Sequence, residues 1–97
     1  MSKKFDELIN DITSFYYDWD PYEFNDNYED YDMALEDTKS ILSSKEHTDN
    51  LIYDLKNINE DIKDDNDIHI KELSNRCKFL ISNLEEYKKT FESEIEM

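Results

Sequence analysis

Not one glycine occurs in the 97 residues of this chain, and that absence constrains its backbone more than any other feature. Glycine supplies the positive φ of primed hairpin turns, of phosphate-cradling loops and of the strained nucleophile elbow. A Walker loop, a G-x-G-x-x-G dinucleotide fingerprint and a G-x-S-x-G elbow are therefore excluded. Valine, a favoured strand former, is absent as well. The single cysteine, Cys77, makes neither an intrachain disulfide nor a cysteine zinc site. These exclusions point to a helical protein that works by binding, with no enzymatic activity expected.

The apolar residues agree with helix. Phe5, Leu8, Ile9, Ile12, Phe15, Tyr16 and Trp19 form one stripe at three- and four-residue steps. Ser2 is the expected N-cap, and Asp20-Pro21 the stop, since the residue before proline disfavours helical dihedrals. Residues 20–30 have no clean period and read as an ordered loop or a single helical turn. Tyr31, Ala34, Leu35, Thr38, Ile41 and Leu42 mark a second helix, with Asp30 as its cap. Residues 43–47 read as a connection and Thr48 as the cap of a third helix, with the stripe Leu51, Ile52, Leu55, Ile58 and Ile62. After the charged turn 64–67, Ile70, Leu73, Cys77, Leu80, Leu84, Tyr87 and Phe91 alternate steps of three and four. That seam suits a coiled coil or antiparallel packing, and Ile81 broadens it toward the latter. The expected fold is all-α: one acidic domain over residues 1–97, a small bundle of three to four helices with a long C-terminal helix.

High charge also accompanies disorder, but Leu, Ile and Phe make up 23 of the 97 residues, above the roughly 20 per cent level below which disorder is expected. No apolar run exceeds three residues, whereas a membrane span needs about twenty and a secretory signal core about 7–15. A cytoplasmic location in a bacterial host is expected. The surplus of Asn, Lys, Ile and Tyr over Ala, Arg and Pro matches the codons of an AT-rich genome.

Charge is concentrated rather than spread. The net charge is -15, and residues 5–38 hold 12 carboxylates without one lysine or arginine. Elsewhere acidic and basic residues interleave, as on an ordinary helix surface. Crowded carboxylates repel one another, so the stretch invites a functional explanation, although a solvated face has the same look. Carboxylates three or four apart on a helix lie about 5–6 Å apart at Cβ, comparable with phosphates along a nucleic-acid strand. Asp26, Glu29 and Asp30, then Asp32 and Glu36, have that spacing if the region is helical. Trp19, Tyr22, Phe24, Tyr28 and Tyr31 are interleaved among them. Tyrosines serve as interface anchors and stack on guanidinium groups, whereas Trp19 and Phe24 are better placed to close the small core. The candidate partner-binding residues are Asp18, Asp20, Tyr22, Glu23, Asp26, Tyr28, Glu29, Asp30, Asp32, Glu36 and Asp37.

In size, charge and the stretch DWDPYEFNDNYEDYD at 18–32, the chain resembles the small acidic DNA-mimic inhibitors of phages and mobile elements. That class includes anti-CRISPR and anti-restriction proteins. The resemblance implies a partner with a basic nucleic-acid-binding groove: first a Cas effector, whose arginines read the PAM, otherwise a restriction enzyme or RNA polymerase. No direct nucleic-acid binding, no membrane association and a monomer or homodimer are expected with it. A different reading makes the chain a helical adaptor or dimerising module that acts through the seam from Ile70 to Phe91.

Two stretches imitate the spacing of a calcium loop. Asp18, Asp20, Tyr22, Phe24, Asp26 and Glu29 fall at ligand positions, but Glu23 stands where the turn requires glycine. Asp61 to Glu72 is degenerate in the same way, with Asn66 at the glycine position. His47 and His69 share no helical metal spacing. No metal and no cofactor are expected, and Cys77 reads as a buried structural thiol.

Overall fold

The computed structural model describes residues 2–96, with side chains described from 5 to 91. Among the described residues it is all-helical apart from short connections, with five helices rather than three to four: α1 Ser2–Trp19, α2 Pro21–Asn27, α3 Tyr31–Leu42, α4 Lys45–Ile62 and α5 Ile68–Glu96. The expected Ser2 cap lies outside the described side chains.

The additional helix is α2, and its cause is local. Proline at 21 forces Asp20 out of helical dihedrals, to φ -147° and ψ 80°, which ends α1. The same proline suits the first position of a new helix, and the Asp20 carboxylate accepts from the Glu23 N–H at 3.2 Å. One dipeptide therefore stops one helix and starts the next. Asp30 caps α3 as expected, accepting from the Met33 N–H at 2.9 Å.

The start of α4 differs from the sequence expectation. Ser44, in extended conformation at φ -123°, is the cap and accepts from the His47 N–H at 3.3 Å. Thr48 lies one turn inside the helix, fully buried, with its hydroxyl donating to the Ser44 carbonyl at 2.8 Å. A buried threonine satisfies its hydroxyl by bonding back to residue i-4, which leaves it no capping role. The α3–α4 connection shrinks to Ser43 and Ser44. The turn before α5 is built from aspartates: Asp65 accepts from the Asp67 N–H and Asp67 from the His69 N–H, both at 2.8 Å. No described residue has positive φ, so the fold uses no conformation that glycine would ease.

Helices α1, α3, α4 and α5 form a closed ring of neighbours, each packed on two others, and α2 packs on α1 outside that ring. Ser74 against Asn59 and Cys77 against Leu55 set α5 antiparallel to α4. Arg76 against Asp18 and Phe5 against Tyr87 set it antiparallel to α1. At about 1.5 Å rise per residue, its 29 residues account for the 46 Å long axis of the molecule. Phe15, Leu42, Leu55, Cys77 and Leu84 lie at the centre, wholly shielded from solvent. Three seam residues of α5, Cys77, Leu80 and Leu84, are thus consumed by this core. Among the described residues no helix is long and apolar enough to cross a membrane.

Candidate partner-binding surface

The eleven residues singled out by the sequence divide into two groups once folded. Four carboxylates have structural tasks. Asp20 and Asp30 are helix caps. Asp18 receives Nη1 of Arg76 at 2.7 Å, while Nη2 of Arg76 reaches the Ser14 hydroxyl at 3.3 Å. The basic-free window along the chain is therefore not free of basic contact in space, because α5 brings in an arginine from 58 residues away. Asp37 accepts the Tyr28 hydroxyl at 2.5 Å, an anchor between the end of α2 and α3.

Glu23, Asp26, Glu29, Asp32 and Glu36 are all exposed, and none of their carboxylates has an ion pair or hydrogen bond among the described residues. Tyr22 stands beside them, 86 % exposed. The phosphate-like spacing survives in part. Asp32 and Glu36 sit four apart on α3, but Glu29 and Asp30 lie in the break between α2 and α3 and do not continue a helical row with Asp26.

Most of the interleaved aromatics serve packing. Phe24 is 7 % exposed, with its ring 5.2 Å from those of Tyr17 and Tyr28 and 6.1 Å from that of Tyr31. Trp19 is half-buried and meets Tyr16 edge-on at 6.2 Å. Both close the structure, as their apolar character suggested. Tyr31 is half-buried and reaches Asn10 Oδ1 at 3.2 Å.

Between α1, α2, α3 and α4 lies a groove of about 530 Å³. Trp19 and Ile41 contribute accessible apolar surface above the buried Ile12, Ala34 and Leu51, and Asp20, Glu23, Asp37 and Asp54 bring carboxylates. Among the described residues no lysine or arginine lines it. Tyr16 donates to Asp54 Oδ2 at 2.6 Å. Burial, then the bond to that carboxylate, raises the Tyr16 phenol far above its ordinary 10. The same causes push Tyr28 up to about 12. Both phenols remain donors at neutral pH and orient their carboxylates. Asn50 and Asp54 escaped the sequence reading because they sit on the polar face of α4, where spacing does not reveal which helix lies opposite. Arg76 was missed for the same reason.

The calcium-loop imitation at 18–29 runs through the end of α1 and all of α2, with Phe24 buried, so most of it is helix rather than a ligand loop. No cluster of three or more metal-ligating side chains occurs among the described residues. Cys77 is buried and donates to the Leu55 carbonyl at 3.0 Å. Chemically, the surface is suited to attracting and holding cationic groups. No family model, curated protein or solved structure matches the chain.

Proposed function

We propose that the chain is a non-enzymatic inhibitor that presents α2, the 28–30 break and the outer side of α3 to a basic nucleic-acid-binding protein in place of DNA. The observation that carries this reading is the set of five exposed carboxylates, Glu23, Asp26, Glu29, Asp32 and Glu36, with no countercharge among the described residues. An unpaired acidic surface is stabilised when a cationic channel covers it, and it speeds encounter with such a channel. A CRISPR effector is the first candidate target, and restriction enzymes and RNA polymerase offer similar channels.

The test replaces those five residues by Gln or Asn and leaves the caps Asp20 and Asp30, and the paired Asp18 and Asp37, untouched. Exposed charge pairs are worth about 0.2–1 kcal/mol each, so a loss of target binding of about fivefold or more is expected from five of them, with helical content unchanged. The parent should protect a Cas effector's binding channel from DNA in a salt-sensitive manner. Equal inhibition by parent and variant would rule out the mimic reading.

A further inference from the structure

The groove beside α2 has the shape and charge of a receptor. Helix α2 packs on α1 without reaching α4, so the half-buried apolar side chains of Trp19 and Ile41 are open to the groove, above the buried Ile12 and Leu51. Its volume of about 530 Å³ falls within the ordinary range of ligand pockets, about 300–1,000 Å³. Four carboxylates line it and no lysine or arginine does. Asp37 and Asp54 each accept one tyrosine hydroxyl, but a carboxylate has about four acceptor sites. Both therefore retain capacity for a donor from outside.

Charge complementarity selects a cation, and the apolar floor selects one with an apolar stem. Arginine meets both conditions better than lysine. Its guanidinium is planar and weakly hydrated, pairs with carboxylates through two parallel bonds, and stacks on aromatic faces such as that of Trp19. We propose that this groove receives an arginine side chain of the partner, its stem along Ile41 and Trp19 and its head among Asp20, Glu23, Asp37 and Asp54. The proposal rests on the reading of the acidic face as a partner-binding surface, and it names the anchor within that face.

The probe is the capped tripeptide acetyl-Gly-Arg-Gly-amide, with Lys and neutral citrulline in place of Arg as controls. Trp19, the sole tryptophan, reports through its fluorescence and its indole N–H resonance. The arginine peptide should move the Trp19 signals at low salt, the lysine peptide should bind at least threefold more weakly, and the citrulline peptide should have no effect. Asn50→Phe, which obstructs the groove at constant charge, should abolish the response. Asp54→Asn, which still accepts the Tyr16 hydroxyl, should weaken it at least threefold, with circular dichroism confirming the fold of both variants. The quadruple change D26N/E29Q/D32N/E36Q, outside the groove, should leave the peptide titration within twofold. That last variant separates the two ideas: if it still inhibits the target fully while the peptide titrates as expected, the mimic surface fails and the groove stands. A silent Trp19, an equal response to citrulline or lysine, or an unaffected Asn50→Phe variant would overturn the arginine site.

Discussion

Thr13 and Thr38 are buried where α1 meets α3, and between them they make three short contacts. Thr13 Oγ1 lies 2.8 Å from the Ile9 carbonyl, Thr38 Oγ1 lies 2.9 Å from the Ala34 carbonyl, and the two hydroxyls are 3.0 Å apart. Each hydroxyl has a single proton, so only two of the three contacts are hydrogen bonds at any instant. Both carbonyls belong to helices and have their own backbone partners, so neither is orphaned when a hydroxyl is removed. Thr13→Val leaves Thr38 free to donate to Ala34, at a cost of about 1 kcal/mol, the typical net worth of one hydrogen bond. Thr38→Val costs about the same. The double substitution removes the polar pair as a unit and should cost less than the two singles together, since replacing both partners by apolar groups is close to neutral. Urea unfolding of the four proteins measures this. A double variant less stable than the sum of the singles would mean that the hydroxyls are not one another's principal partners.

Among the elements, α2 is the least secured. Seven residues are too few for an independent helix, and of these only Phe24 is buried. Phe24→Ala removes the ring that meets Tyr17, Tyr28 and Tyr31, a loss of about 3–5 kcal/mol for a well-packed phenylalanine. Because α2 packs mainly on α1 and touches α3 only at its edge, through Tyr31 and the Tyr28–Asp37 bond, the expected result is local release. Its amides should lose hydrogen-exchange protection while those around Leu55, Cys77 and Leu84 retain theirs. A general loss of protection would instead make α2 part of the core. The same facts explain what was legible in the sequence. Helices α1 and α4 bury a complete stripe, so period 3.6 marked them. A helix with one buried residue has no period to detect, and α2 therefore reads from sequence as an ordered loop or a single helical turn, although its cap and proline are in plain view. At the surface, the acidic stretch was visible because it is continuous in the chain. The groove was not, because one of its walls comes from α4, and the choice of neighbouring helix depends on packing that spacing does not encode.

For the whole molecule, the charge of -15 and the titration of the buried phenols act in the same direction. Exposed like charges within about a Debye length repel in the compact state, and salt relieves that repulsion. The melting temperature at pH 7 should therefore rise between 10 mM and 500 mM salt, and the five-residue neutralised variant should show a smaller rise. Alkali adds to the repulsion. Burial raises Tyr16, Tyr31 and Tyr28, the last to about 12, and raises the Cys77 thiol to about 11. In each case the folded state holds its proton more tightly than the unfolded state, whose ordinary values are 10 for tyrosine and 9 for cysteine. Stability from these groups is thus complete below pH 9 and falls as pH climbs through 10 toward 12, since unfolding then releases protons. Every proton lost also adds a negative charge to a chain already strongly anionic. Alkaline unfolding followed by circular dichroism should begin above about pH 9. Tyr16→Phe, which keeps the ring but has no proton to lose, should start from lower stability at pH 7 for want of its bond to Asp54 and then decline less steeply with pH. Parallel pH profiles for Tyr16→Phe and the parent would show that Tyr16 contributes nothing to the alkaline transition and would leave charge repulsion as its cause.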